Sequence, residues 1–236
     1  MQILPVIDLK QGQIVHARLG QRERYRPVRS ALGDGSEPLR LVEGLLRVYP
    51  FPALYAADLD AIEGHGDNQA VIAELRRAFP SLRLWLDAGF SEEAASRRWL
   101  ADERSELVIG SEAQRDGQLL ARLLRGEQAE RVVLSLDFRS ERFVGPRELL
   151  DEPQRWPARV IVMTLARVGS GSGPDIGRIE EIRARAGGRR LYAAGGVRGR
   201  ADLERLLAIG AAGALVASAL HDGSLGREEV AAAMGG

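Results

Sequence analysis

The sequence contains no cysteine and only one lysine, Lys10, among its 33 basic residues. Without cysteine the chain can form no disulfide, no thiolate metal site and no cysteine nucleophile. Lys10 is the only lysine available for Schiff-base chemistry. It stands two residues after Asp8, where an apolar run ends. This ionisable pair is the first candidate for a functional site.

The chain also lacks an excess of charge of either sign. Acidic and basic residues number 33 each, which gives no support for a nucleic-acid or membrane partner. No apolar run reaches the roughly 18 residues that a membrane span needs. The N-terminus has no basic segment and no small-residue cleavage site of a secretory signal. We therefore expect a soluble, cytoplasmic protein.

Histidine is scarce, and the three that occur, His16, His65 and His221, are far apart in the sequence. They match no metal-ligand spacing. The strand-end aspartates could bind Mg2+, but no spacing demands it. We therefore expect no metal.

Eight short apolar runs alternate with longer amphipathic segments that are rich in Arg, Glu and Leu. The runs lie at 3–9, 53–60, 82–89, 107–111, 131–137, 159–164, 190–196 and 214–218. Such continuous apolar runs are typical of parallel strands buried on both faces. The segments at 38–49, 68–79, 91–103, 118–126, 175–186 and 200–210 have helical periodicity, while 145–156 contains prolines and is the weakest helix. Eight such units predict an α/β fold, a single (β/α)8 TIM barrel over residues 1–236, with a small hairpin at 12–19.

Short motifs recur along the chain at fixed offsets. LWLDAGF (84–90) and LYAAGGV (191–197) are 107 residues apart, and so are IGSEA (109–113) and VASAL (216–220). VIDLK (6–10) and SLDFR (135–139) match at an offset of 129 with an aspartate in the same place. Two consecutive units that keep one offset indicate an internal repeat. We predict two similar half-barrels, roughly 1–125 and 126–236.

The strand ends contain a matched pair of aspartates, Asp8 and Asp137. Active sites of such barrels lie at the C-terminal ends of the strands. Asp8 ends the first strand and Asp137 the fifth, which face each other across a barrel. A ligand between them would have a carboxylate on each side, as general acid–base catalysis requires. Capping of a loop or helix is the structural alternative for either aspartate alone.

The last two strands end in small residues that suit a phosphate. Gly195 and Gly196 end the seventh strand, and Ala217 and Ser218 end the eighth, so backbone N–H groups there can bind an anion. Gly171 belongs to a glycine-rich loop after the sixth strand that can close over the ligand. A tight strand–helix turn is the alternative reading of these glycines. Gly110 and Ser111 end the fourth strand and are further candidates for substrate contacts.

Lys10 shares the inward face of Asp8 if the first strand continues. Among Asp8, Asp58 and Asp137 it would hold the carboxylates charged and in place. A Schiff-base role needs a depressed pKa, which neighbouring carboxylates oppose. We favour the electrostatic role.

These motifs together resemble the HisA/HisF family of histidine-biosynthesis barrels, and the ProFAR isomerases (HisA) more than the cyclases. The resemblance covers the whole chain. The resemblance rests on the motifs VIDLK, DLDAIEG (58–64) with Asn68, IGSEA, SLDFR, Thr164, AAGGV (193–197) and VASAL. The resemblance implies that Asp8 is the general base, that Asp137 is the general acid and that Thr164 assists. The reaction it implies is an Amadori-type aldose–ketose isomerisation of a phosphorylated ribosylamine without a cofactor.

The third strand departs from the family pattern. The family has GGGIR there and binds a second phosphate, whereas this chain has DAGFS (87–91), with Asp87 and Ser91. A carboxylate opposes anion binding. The segment 19–30 is rich in arginine, and Arg22, Arg24, Arg26 or Arg29 would be anion ligands on a mobile loop. These departures indicate a substrate with one phosphate. They also resemble a divergent subgroup, from archaea and one-carbon-metabolising bacteria, that is associated with cofactor synthesis.

Three other functions stay open on the sequence. A cyclase or lyase of the sister type would use the same two aspartates. An aldolase would use Lys10, and a non-catalytic barrel would only bind a phosphorylated metabolite. We expect a small phosphorylated metabolite as the partner and a monomer or small homo-oligomer.

Overall fold

Eight parallel strands follow one another in chain order around a closed sheet in the computed structural model, which describes residues 1–235. These first to eighth barrel strands span Gln2–Lys10, Ala53–Asp58, Arg83–Asp87, Ser105–Gly110, Val132–Arg139, Arg159–Thr164, Arg190–Ala194 and Gly213–Val216. The eighth strand pairs with the first, from Gly213 opposite Gln2 to Val216 opposite Pro5. The predicted (β/α)8 barrel is confirmed.

Helices surround the barrel, and seven of the ten in residues 1–235 lie on the predicted segments. The helices Leu59–Glu63, Ser218–His221 and Arg227–Met234 were not predicted. The ten helices span Pro38–Val48, Leu59–Glu63, Gln69–Ala78, Glu93–Leu100, Gln118–Leu123, Arg147–Asp151, Ile176–Arg185, Arg200–Ala208, Ser218–His221 and Arg227–Met234. The first begins where sequence rules predict, with Pro38 in its first turn and the Glu37 carboxylate accepting backbone N–H bonds at 2.9 Å. The segment 145–156 forms a single short helix followed by a 3-10 turn from Pro153, since proline cannot continue the hydrogen-bonded ladder.

Two barrel strands extend into hairpins at the C-terminal end of the barrel. Gln13–His16 runs antiparallel to the first strand, as predicted, and Arg142–Val144 runs antiparallel to the fifth. The first turn places Gln11 and Gly12 at positive φ. The hairpins thus arise on the two strands that carry the repeated aspartate motif. The second predicted half-barrel, 126–236, includes Gly236, which lies outside the described residues. The division into two half-barrels stays a prediction.

The core has two layers, as the alternation of strand side chains requires. One layer lies between the strands and the helices and contains most of the buried leucine, isoleucine and valine. The other fills the barrel interior, where Trp85 packs edge-on against Tyr192 with ring centroids 5.0 Å apart. The interior is therefore packed below the C-terminal end, which leaves that end for a ligand.

A buried ion cluster occupies the N-terminal side of the barrel interior. The Glu106 carboxylate accepts hydrogen bonds from Arg83 at 2.7 and 3.0 Å and also pairs with Arg159. The Arg159 guanidinium stacks on Trp85, 4.8 Å from the ring centroid. These contacts join the third, fourth and sixth strands below the ligand end.

Within residues 1–235, no helix combines the length and the apolar character needed to cross a membrane.

Candidate active site

A cavity of about 370 Å³ opens at the C-terminal ends of the barrel strands. The predicted site residues on its wall are Asp8, Asp87, Asp137, Gly171, Gly195, Gly196, Ala217 and Ser218. Residues of other segments complete the wall, among them His16, Arg22, Tyr25, Tyr55 and Glu112. The structure thus brings the predicted aspartates and the small residues of the last two strands into one space.

Asp8 and Asp137 enter this cavity from opposed strands. Asp8 lies beside Ala57 of the second strand, and Ala57 lies beside Asp87 of the third, so these positions form one layer of the barrel. Asp137 lies beside Met163 on the far side. The opposition that the repeat predicts is therefore present in the fold.

Asp137 is buried, with 4% of its surface exposed, and is held by donors from its own and the fourth strand. The Ser135 hydroxyl donates to Oδ1 at 2.7 Å, and the Glu112 backbone N–H donates to Oδ2 at 3.2 Å. Burial raises the pKa of Asp137 to about 7, and the Glu112 and Asp87 carboxylates add to the rise. Asp137 therefore holds a proton at neutral pH far more readily than an exposed aspartate.

Ser111 contacts the other side of the same carboxyl group. Its Oγ lies 2.7 Å from the Val144 carbonyl and 3.1 Å from Asp137 Oδ2, and it accepts the Asp137 backbone N–H at 2.9 Å. A hydroxyl has one hydrogen, and the Val144 carbonyl can only accept. When Ser111 donates to that carbonyl, a lone pair faces Oδ2. This arrangement accommodates the protonated form of Asp137.

Asp8 has a different electrostatic environment from Asp137. Burial raises the pKa of Asp8 to about 7, but the Arg22 guanidinium opposes the rise. Arg22 comes from the segment after the first hairpin and forms an ion pair with Glu112 of the fourth loop. Tyr25 of the same segment is buried, and its pKa is raised by that burial and by Asp8. Asp8 therefore faces a cation, while Asp137 faces carboxylates.

Asp87 is, with Asp137, a buried carboxyl group of the cavity. Its Oδ1 accepts the Gly89 backbone N–H at 3.1 Å, and its Oδ2 lies 3.4 Å from the Tyr55 hydroxyl. Burial raises the pKa of Asp87 to about 6. A Cβ on Gly110 would lie 3.0 Å from Asp87 Oδ2 and 3.5 Å from Asp137 Oδ2. The absent side chain of Gly110 thus makes room for two neighbouring carboxyl groups.

The small residues of the seventh and eighth strands form the opposite end of the cavity. Gly195 and Gly196 have φ of 100° and 90°, and a Cβ on Gly196 would lie 2.3 Å from the Gly173 carbonyl oxygen. Only glycine fits this backbone. Beside it the Ser218 hydroxyl lies 3.2 Å from His16 Nε2. This end therefore offers backbone, a hydroxyl and an imidazole to a ligand.

Lys10 is not where the sequence predicted it. Its ammonium group pairs with Glu63 at 2.9 Å and donates to the Arg22 carbonyl at 3.2 Å. It does not line the described cavity wall. The prediction that Lys10 lies among Asp8, Asp58 and Asp137 is therefore wrong, because its long side chain leaves the strand end toward the second loop. Lys10 instead joins that loop to the segment that carries Arg22.

Asp58 has a structural position outside the cavity wall. Its carboxylate accepts the Ala61 N–H as a helix N-cap, at 3.2 Å, and both Asn68 nitrogens at 2.7 Å. Asn68 in turn accepts the Gly12 N–H at 2.8 Å. This network fastens the first hairpin to the second loop, so Asp58 caps a helix and does not join the carboxyl groups of the cavity.

Six other predicted residues also lie outside the lining of the cavity, and these are Gly110, Ser111, Arg24, Arg26, Arg29 and Thr164. Gly110 and Ser111 act on the site indirectly through Asp137. Arg24 points to solvent. Thr164 is buried, pairs in register with Phe138, and its hydroxyl donates to Asp175 at 3.3 Å. A part for Thr164 in catalysis stays a prediction.

Sequence reasoning did not assign Tyr55, Tyr25, Glu112 or His16 to the site. Tyr55 lies in the middle of an apolar strand, where an aromatic residue is usually core. Glu112 follows the IGS motif, but its partner Arg22 is 90 residues away. The alternation of strand side chains marks Tyr55 as inward-facing, and this was the only usable signal.

Within residues 1–235, no group of three or more His, Asp or Glu side chains is arranged to hold a metal ion.

Comparison with known proteins agrees with this geometry. A family model described as "Histidine biosynthesis protein" matches residues 2–226. The 1-(5-phosphoribosyl)-5-((5-phosphoribosylamino)methylideneamino)imidazole-4-carboxamide isomerase of Thermus thermophilus is 31% identical over 242 residues, covering 97% of this chain and 98% of its own. Phosphoribosyl isomerase A of Streptomyces griseus is 28% identical over 249 residues, with 97% and 96% covered. An uncharacterized protein of Methanocaldococcus jannaschii is 28% identical over 233 residues, with 98% and 97% covered. This chain therefore belongs to the histidine biosynthesis protein family.

Proposed function

We propose that this protein is an aldose–ketose isomerase that performs an Amadori-type rearrangement of a phosphorylated ribosylamine. The observation that carries the proposal is the pair Asp8 and Asp137, which line one cavity from opposed strands with pKa values of about 7. Residues that must exchange protons at neutral pH need such values. Relatives that carry isomerase names along the whole chain support the reaction class.

The surroundings of the two aspartates assign their roles. Asp137 is beside the Glu112 and Asp87 carboxylates, which favour its protonated form, so it acts as the general acid. It donates a proton to the furanose ring oxygen, and the ring opens to an iminium ion. Asp8 faces Arg22, which favours its ionised form, so it acts as the general base. It removes the C2 proton to give an enaminol. A proton then returns to C1 from Asp8, and the C2 hydroxyl loses its proton to the ionised Asp137, which completes the ketose amine and restores both groups.

The phosphate of the substrate binds at the end formed by Gly195, Gly196 and Ser218. Backbone N–H groups and a hydroxyl suit phosphate oxygens. His16 beside Ser218 adds a donor from the hairpin. The ribose then lies between Asp8 and Asp137, and the amine portion points toward Asp87.

The amine portion differs from that of ProFAR, which has a second phosphate. Asp87 is buried on the wall where that phosphate would lie, and an ionised carboxylate repels it. We propose a substrate with one phosphate. The resemblance to the subgroup associated with cofactor synthesis fits this change of substrate.

Turnover of two substrates tests the proposal. The purified protein is assayed with ProFAR and with N-(5-phosphoribosyl)aniline, which has one phosphate and a neutral amine portion. We expect conversion of the aniline compound to its ketose amine and a much lower kcat/KM for ProFAR. Turnover of neither compound by folded protein would contradict an isomerase of phosphorylated ribosylamines.

The pH dependence of kcat/KM follows from the two raised pKa values. Asp8 must be ionised, so the rate falls tenfold per unit below its pKa of about 7. Asp137 must be protonated, so the rate falls above its pKa of about 7. We expect a narrow bell with its maximum near pH 7, measured from pH 5 to 9.

Arg22→Met gives the control for this profile. Without the cation the pKa of Asp8 rises, and the acidic limb moves to higher pH. Arg24→Met changes an exposed arginine of the same 3-10 turn, Arg22–Arg24. We expect this variant to leave the acidic limb of the pH profile in place. A flat profile in the unsubstituted protein would contradict the assigned roles.

Lys10→Met separates the isomerase from an aldolase. Lys10 supports the Arg22 segment through one ion pair and one hydrogen bond, so its loss is expected to lower kcat by no more than about tenfold. Lys10→Arg retains the charge and recovers part of the loss. A loss of more than a thousandfold, or borohydride trapping of substrate on Lys10, would instead indicate a Schiff base.

A further inference from the structure

The cavity end at the third and fourth strands is the repeat counterpart of the phosphate end. An offset of 107 residues relates Asp87-Ala88-Gly89 to Ala194-Gly195-Gly196. The same offset relates Gly110-Ser111 to Ala217-Ser218. The two ends therefore lie at equivalent positions of the repeat, but one carries a carboxylate where the other carries a methyl group.

The carboxylate of Asp87 has unused hydrogen-bonding capacity. Only 8% of its surface is exposed, and it lies on the cavity wall. Its Oδ2 lies 3.4 Å from the Tyr55 hydroxyl, a distance at the limit of a hydrogen bond. A carboxylate has about four acceptor positions. Gly110 packs closely against Oδ2 without donating to it, since a Cβ there would lie 3.0 Å away. A buried carboxylate with unused acceptor positions thus lines the cavity.

The charges around Asp87 are unfavourable for an anion. The Glu112 carboxylate raises the pKa of Asp87, and the Glu112 and Asp87 carboxylates raise the pKa of Asp137. Among described residues, the cavity wall has two cations, Arg22 and Arg198. Arg22 is paired with Glu112, and Arg198 lies at the phosphate end, paired with Asp202 at 2.8 Å. No cation of the wall is thus left over for a second anionic group of the ligand.

We propose that this end binds a nitrogen-centred cation, such as a protonated amine or an amidinium, on the amine portion of the substrate. Asp87 accepts its N–H bonds, and Tyr55 lines the space beside it. The inference rests on the proposed function and deepens it. The substrate class becomes a ribosylamine 5-phosphate whose amine portion is positively charged.

Three synthetic ligands test the inference by binding alone. Each is a 1-arylamino-1-deoxyribitol 5-phosphate, a stable analogue of the ketose product, with a para aminomethyl, methyl or carboxylate group on the ring. Dissociation constants are measured by calorimetry at pH 8, where Asp87 is ionised. We expect the aminomethyl ligand to bind about tenfold more tightly than the methyl ligand, and the carboxylate ligand to bind most weakly.

Two variants assign the preference to one carboxyl group. Asp87→Asn keeps the shape of the side chain and is expected to bring the three dissociation constants within about threefold of one another. Glu92→Gln removes an exposed carboxylate five positions away and keeps the preference.

The outcomes separate the inference from the proposed function. Equal binding of the three ligands, or tightest binding of the carboxylate ligand, overturns the inference and leaves the isomerase proposal standing. Binding of ribitol 5-phosphate without binding of any aryl ligand also overturns the inference and leaves the isomerase proposal standing. Failure to bind ribitol 5-phosphate overturns the phosphate end and, with it, both proposals.

Discussion

Asp8→Asn and Asp137→Asn are each expected to lower kcat by about 10²–10⁴-fold, the usual contribution of one positioned acid or base. Asparagine retains the size of aspartate but cannot exchange a proton. Asp8→Asn removes the base that takes the C2 proton. Asp137→Asn removes the acid that opens the ring. Steady-state turnover of N-(5-phosphoribosyl)aniline measures both losses.

These losses must come from chemistry rather than from unfolding. Burial raises the pKa of both aspartates from 3.8 to about 7 in the folded state, so the folded state binds their protons more tightly than the unfolded state does. Stability therefore falls as pH rises between these values, and asparagine removes this penalty. At pH 8 both variants should unfold at the same or higher urea concentration.

A matched control and a contradictory result define this test. Asp34→Asn changes an exposed aspartate and should leave kcat unchanged. The double variant with both Asp8 and Asp137 changed should bind ribitol 5-phosphate as the unsubstituted protein does. Turnover within threefold of normal in either single variant would exclude that aspartate from the proton transfers.

Glu106→Ala is expected to destabilise the barrel by about 3–5 kcal/mol, the cost of leaving a buried partner charge unpaired. Glu106 is 3% exposed, and Arg159 beside it is 8% exposed. Without Glu106 the Arg159 guanidinium keeps the Trp85 ring and the Glu130 carbonyl but loses its carboxylate. Urea unfolding, followed by tryptophan fluorescence, measures the change in the free energy of unfolding.

Two further variants show whether the charge or the packing causes the loss. Glu204→Ala breaks an exposed helical ion pair and should cost less than about 0.5 kcal/mol. Glu106→Leu combined with Arg159→Met removes both charges and should recover most of the lost stability. A cost below about 1 kcal/mol for Glu106→Ala would mean that Arg159 finds water or another acceptor.

The fold was predictable because its signals are local. Each barrel strand is an apolar run such as 159–164, which the structure reproduces as Arg159–Thr164. The intervening helices have periodicity within a few turns, and Pro153 stops one of them. The opposition of Asp8 and Asp137 was also predictable, since strand order follows chain order in such a barrel.

The charged contacts of the site were not predictable, because they join distant segments. Arg22 meets Glu112 across 90 positions, and Lys10 reaches Glu63 rather than the aspartates near it. Long flexible side chains have several directions open to them, and the tertiary structure selects one. The sequence suggested that Asp58 belongs to a carboxylate cluster. Its carboxylate instead accepts hydrogen bonds from the nearby Ala61 and Asn68 N–H groups.

Proton transfer at C2 of the substrate is the most direct test of the proposed isomerase. The protein is incubated in D2O with ProFAR or N-(5-phosphoribosyl)aniline, and mass spectrometry follows deuterium at C1 of the ketose amine. We predict enzyme-dependent incorporation of one deuterium with at least one compound, and none with Asp8→Asn. Incorporation at the same rate by Asp8→Asn, or no formation of ketose amine from either compound by the unsubstituted protein, would contradict a base-catalysed isomerisation at Asp8.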